Sequence, residues 1–78
     1  MERQHPLRNR LKVLRAERDW TQAELARRAG VTRKTINTVE RGVFVPSTVL
    51  ALKLAEIFEV PVESVFWLDG EASSRRSS

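Results

Sequence analysis

The sequence predicts an all-α fold, a compact five-helix bundle in a single domain. Three observations carry that expectation. Apolar residues recur at helical spacing, and no segment alternates apolar and polar residues as a strand would. Threonine, serine and proline stand where helices would start, and glycine where they would stop. The chain's 78 residues allow one small core and no second domain.

The first helix is expected over 7–18. Leu7, Leu11 and Leu14 fall at i, i+4 and i+7 and form one apolar stripe, and Pro6 just ahead of them suits a first turn. The second, over 22–29, opens on Thr21-Gln22-Ala23-Glu24, a capping box in which the Thr21 hydroxyl accepts from the Glu24 N–H and the Glu24 side chain returns to the Thr21 N–H. Trp20 before the cap and Leu25 after it form a hydrophobic staple, and Gly30 supplies a left-handed stop. The third, over 33–41, is capped by Thr32, turns Ile36 and Val39 inward and ends at Gly42. Two short helices joined by Ala-Gly-Val-Thr have the outline of a helix-turn-helix.

Pro46-Ser47 opens a fourth helix over 48–58, whose apolar face is Leu50, Leu54, Ile57 and Phe58. Val60-Pro61 breaks it, and a fifth helix over 62–66 places Val62, Val65 and Phe66 on one side. The domain therefore spans 7–68, flanked by a flexible N-terminus at 1–6 and a disordered tail at 69–78 that ends Ser-Ser-Arg-Arg-Ser-Ser.

The charge is uneven. Residues 1–42 carry eleven Lys and Arg against five Asp and Glu, while residues 43–72 carry one Lys against five acids. A basic half is the electrostatic footprint of a polyanion binder, although a solvated surface has the same composition. The chain has no cysteine, which removes disulfides and zinc–thiolate sites. No apolar run approaches a membrane span and the polar N-terminus is not a secretory signal. The expected location is the cytoplasm.

Taken together, residues 9–66 resemble the lambda-repressor-like, Cro-type helix-turn-helix family, often called the XRE family. The strongest stretch is TQAELARRAGVTRKTINTVERG, followed by PSTVLALKLAEIFEVPVESVF. The resemblance implies a five-helix domain whose second and third helices read double-stranded DNA. It also implies a homodimer on a pseudo-palindromic operator with half-sites roughly 34 Å apart, and a transcriptional regulator that is most often a repressor. An antitoxin of the same fold, or a protein-interaction module without DNA affinity, are the competing readings. Neither a cofactor nor a small-molecule ligand is implied.

With Ile36 and Val39 turned into the core, the opposite face of the third helix carries Arg33, Lys34, Asn37 and Thr38, the positions the family uses for base readout. Arg33 and Lys34 can donate to guanine O6 and N7, or grip phosphate alone. Asn37 can pair with adenine, and Thr38 can bond to a base edge or touch a thymine methyl. Many relatives carry Gln at the first two positions, so no operator sequence transfers. Phosphate contacts are expected from Gln22, which matches a phosphate-holding Gln of the family, and from Thr21 and Arg41, with Arg10 and Arg8 weaker candidates. The resemblance also pairs Arg15 with Glu40 as a structural ion pair.

Val65, Phe66, Trp67 and Leu68 form an apolar cluster at the end of the domain, read as a two-fold dimer contact. The alternative is that Trp67 folds back on its own chain. His5 has no partner for metal or catalytic chemistry, Glu56, Glu59 and Glu63 read as a solvated face, and no nucleophile triad or phosphate loop is present. The sequence therefore points to a binding protein and not to an enzyme.

Overall fold

The computed structural model describes residues 7–69. The expected flexible N-terminus at 1–6, with His5, and the expected tail beyond Asp69 lie outside the described residues. Within them the order is β1 (Leu7–Asn9), α1 (Leu11–Glu17), α2 (Gln22–Ala29), α3 (Arg33–Glu40), α4 (Thr48–Phe58), a single 3-10 turn at Val62–Ser64, and β2 (Phe66–Leu68).

Three helices start as their sequences dictate. Thr21, Thr32 and Ser47 sit in extended backbone, and their hydroxyl oxygens accept from the N–H groups of Glu24, Thr35 and Leu50. The capping box at Thr21 is only half made. The Glu24 carboxylate is held by Arg27 at 2.6 Å and Arg28 at 2.7 Å, not by the Thr21 N–H. The Arg27 hydrogen bond holds this carboxyl below its ordinary pKa. The indole of Trp20 lies on Phe58 with ring centroids 5.5 Å apart, and the Arg28 guanidinium lies 4.0 Å from the Trp20 centroid.

The helix ends share one device. Gly30 and Gly42 take positive φ after α2 and α3, and at Gly42 the next two carbonyl contacts close a Schellman turn: Gly42 N–H to Val39 C=O and Val43 N–H to Thr38 C=O. The same turn follows α1 and α4, but there Asp19 and Glu59 occupy the left-handed position, at φ 57° and 59°. Glycine would fit both without the Cβ penalty.

Both ends of the expected five-helix bundle need correction. Among the described residues there are four α-helices. Leu7–Asn9 is a strand and not the first turn of α1. The Asn9 side-chain oxygen accepts from the Leu11 N–H at 3.1 Å, an Asx-type turn that starts the helix afresh. At the other end the expected helix over 62–66 is cut to one 3-10 turn. The β-branched and aromatic run Val-Phe-Trp-Leu then extends into β2. The two strands pair antiparallel, with Leu7 opposite Leu68, Arg8 opposite Trp67 and Asn9 opposite Phe66.

The core lies between the four helices and under the strand pair. Leu11, Leu25, Ile36, Leu54, Phe58 and Val65 are sealed from solvent, with Leu14, Val39, Leu50 and Phe66 completing it. Side chains contributed by every helix meet there, so α3 cannot change its tilt without opening the core. Arg18 adds a polar clasp, donating to the Phe58 carbonyl at 2.9 Å and the Leu14 carbonyl at 3.1 Å.

Candidate nucleic-acid interface

α3 is fixed on one side and free on the other. Ile36 and Val39 are fully buried, which sets the rotation of an eight-residue helix. Arg33 and Lys34 are then exposed, and Asn37 and Thr38 are half-buried beside them. A 3.6-residue period allows no other outcome once two inward positions are set. The Thr38 hydroxyl donates back to the Thr35 and Lys34 carbonyls at 3.0 and 3.1 Å. Its proton is therefore occupied, and its outward parts are lone pairs and a methyl group.

Gln22, the first residue of α2, is the hub of this face. Its Nε2 donates to Glu40 Oε1 at 3.0 Å. Its Oε1 accepts from Asn37 Nδ2 at 3.5 Å and from Arg33 Nη1 at 3.4 Å. The N-terminus of α2 and the outer face of α3 thus form one surface. Exposed N–H groups and the positive end of a helix dipole stand beside the Arg33 guanidinium.

Behind this surface, Arg15 of α1 grips Glu40. Nε meets Oε2 at 2.6 Å and Nη2 meets Oε1 at 3.1 Å, and the side chains retain only 14% and 7% of their accessible surface. Arg15 Nη1 also donates to the Trp20 carbonyl at 3.0 Å. One buried fork thereby joins α1, the loop before α2, and α3.

Of the expected phosphate-facing residues, Thr21 is exposed at the N-cap of α2 and Gln22 is half-buried beside it. Arg41 is exposed at the C-cap of α3. It lines a shallow hollow of about 350 Å³ with Arg8 and Trp67, so the strand pair brings Arg8 close to α3. Arg10 is exposed at the start of α1, where its backbone N–H donates to the Val65 carbonyl. Among the described residues no hydrogen bond or ion pair joins its side chain to α3.

The apolar cluster at the chain end divides. Val65 is fully buried and Phe66 is 9% exposed, both inside the core of a single chain. Their burial is accounted for by packing within the single chain. Trp67 and Leu68 remain 40% and 42% exposed on β2.

Asn9 escaped the sequence reading. Its Nδ2 donates to the Val39 and Glu40 carbonyls at 3.2 and 3.3 Å, capping the last turn of α3 from β1. Nothing local in the sequence marks it, since the two partners lie thirty and thirty-one residues away. The bridging role of Gln22 was equally hidden, although its place at the helix start was visible.

Comparisons with known proteins agree with this geometry. Residues 11–65 match a family model described as Helix-turn-helix. The chain is 43% identical over 65 residues to YgzD of Bacillus subtilis, an uncharacterised HTH-type transcriptional regulator, covering 83% of this chain and 98% of that one. It is 45% identical over 65 residues to an uncharacterised HTH-type transcriptional regulator of Archaeoglobus fulgidus, covering 83% and 92%. Among solved structures, a Bacteroides fragilis protein superposes with a TM-score of 0.70 at 30% identity, over 78% of this chain and 98% of that one. The restriction-modification controller protein C.AhdI of Aeromonas hydrophila superposes with a TM-score of 0.64 at 33% identity, over 69% and 78%.

Proposed function

The chain belongs to the helix-turn-helix family of transcriptional regulators, a family of binding domains and not of enzymes, and from that premise we propose that it reads double-stranded DNA with α3 in the major groove. The observation that carries the reading is the two-sided character of α3: Ile36 and Val39 sealed in the core, Arg33 and Lys34 standing in solvent on the far side. Arg33 and Lys34 reach guanine acceptors, while Asn37 and Thr38 meet neighbouring base edges. Gln22, Thr21 and Arg41 hold the flanking phosphates, with Arg10 and Arg8 at the margin.

The finer proposal is a repressor acting by occupancy. Two copies, joined through Trp67 and Leu68, sit on half-sites one helical turn apart, roughly 34 Å. The names of the relatives support a regulatory role, and C.AhdI is itself named as a controller protein. No cofactor enters the mechanism.

Selection from random duplexes, followed by affinity measurements across a salt series, tests the proposal. A pseudo-palindrome should emerge, with affinity falling steeply as salt rises. Arg41→Ala should weaken all sequences alike and reduce the salt slope by about one, whereas Arg33→Ala should relax the choice at one position of each half-site. Absence of any affinity at low salt would favour a protein-interaction module.

A further inference from the structure

We propose that Gln22 and Glu40 act as a polarity relay that decides which kind of base Asn37 accepts. The inference rests on the DNA-reading role of α3. A terminal amide looks the same from either side, so an isolated asparagine in a groove can present a carbonyl or an NH₂ with nearly equal ease. Here the choice is made several residues away.

The chain of constraint starts at Arg15. Its guanidinium can only donate, and it fixes both oxygens of Glu40. Glu40, as a carboxylate, can only accept. The group of Gln22 that meets Glu40 Oε1 at 3.0 Å must therefore be its NH₂. That sets the Gln22 carbonyl toward α3, where it needs donors and takes them from Arg33 and Asn37. Asn37 in turn must offer one Nδ2 proton inward, which leaves Oδ1 and the second Nδ2 proton outward, and no hydrogen bond among the described residues reaches that oxygen. The second Nε2 proton of Gln22 stays free for a phosphate, so the relay and a backbone contact do not compete.

An outward carbonyl needs a donor. In the major groove the exocyclic amines of adenine and cytosine supply one, while guanine and thymine offer acceptors at the corresponding edge. The base facing Asn37 should therefore be an amino base, adenine above all, since the outward Nδ2 proton then meets N7 while Oδ1 accepts from N6; guanine and thymine set an acceptor against Oδ1 and should be disfavoured. Gln22 is a positioning residue in this scheme, since it sets the orientation of the side chain that touches the base.

The test is base preference measured by duplex selection and competition titration in the wild type, Gln22→Met, Gln22→Glu and Asn37→Ala. The position in question is the one whose preference Asn37→Ala abolishes. There the wild type should favour amino over keto bases by about tenfold, and Gln22→Met, which leaves the Arg15–Glu40 pair in place, should reduce this below about threefold. Gln22→Glu loses the donor that meets Glu40 and sets two carboxylates together. The repelled side chain leaves Asn37 unfixed, so this variant should bind all DNA more weakly and lose the amino preference as Gln22→Met does. Unchanged preference in Gln22→Met overturns the relay, as does a wild type that selects guanine or thymine there, or an Asn37→Ala variant that alters no position. In each of those cases DNA reading itself survives. A wild type that selects no sequence overturns the parent reading and the relay together.

Discussion

Arg15 and Glu40 face each other as a bidentate fork across the junction of α1 and α3, with Nε to Oε2 at 2.6 Å and Nη2 to Oε1 at 3.1 Å. The pair is almost dry, and each partner is the main reason the other tolerates its site. Glu40→Gln keeps the shape but leaves the Arg15 charge uncompensated. Its expected cost is about 3–5 kcal/mol, a fall in Tm of more than about 10 °C for a domain of this size. Thermal melting checks it, and an unchanged Tm would place the pair with surface ion pairs that contribute little.

Asn9 makes three hydrogen bonds with one side chain, one starting α1 and two closing α3. Asn9→Ala leaves the Glu40 carbonyl without its donor, while Val39 keeps the Gly42 N–H, and should cost about 1–2 kcal/mol. A urea titration measures this, and a midpoint within error of the wild type would show that water replaces the side chain at no loss.

Glu59 holds a left-handed conformation at the end of α4 with φ 59°, and it is exposed. Glu59→Gly should stabilise the domain by about 0.5–1 kcal/mol, because relief of the Cβ clash outweighs the added freedom of the unfolded chain. The expected signature is a Tm raised by a few degrees with DNA affinity unaltered. A lower Tm would mean that backbone entropy dominates at this turn.

Trp67 is 40% exposed on β2, so its truncation should hardly disturb the single chain while removing the anchor of the proposed dimer. Light scattering on Trp67→Ala should report the mass of one chain where the wild type reports two. A variant with the mass of a dimeric parent would remove Trp67 from the interface.

The middle of the fold was legible because its punctuation is local. Thr21, Thr32, Ser47, Gly30 and Gly42 each act within a few residues of their own position, and the inward direction of Ile36 and Val39 follows from helical spacing alone. The ends were misread for the opposite reason. Leu7, Leu11 and Leu14 have helical spacing, yet Leu7 belongs to a strand whose partner, Leu68, lies at the far end of the domain. Three-residue strands are too short to show alternation, and pairing over that separation leaves no local trace. The candidate site divides in the same way. The exposed cations of α3 follow from its own sequence, whereas the contacts of Gln22 and Asn9 depend on how separate helices are brought together.

The Leu7–Leu68 pairing also bears on when the domain can form during synthesis. The helices at its centre leave the ribosome before Phe66, Trp67 and Leu68, so β1 gains its strand partner only after α4 has been made, although Asn9 can already bond to α3. Until then the edge of the core that Val65 and Phe66 cover stays open to water. Closing the core therefore waits on the synthesis of β2, which ties the start of the domain to its far end.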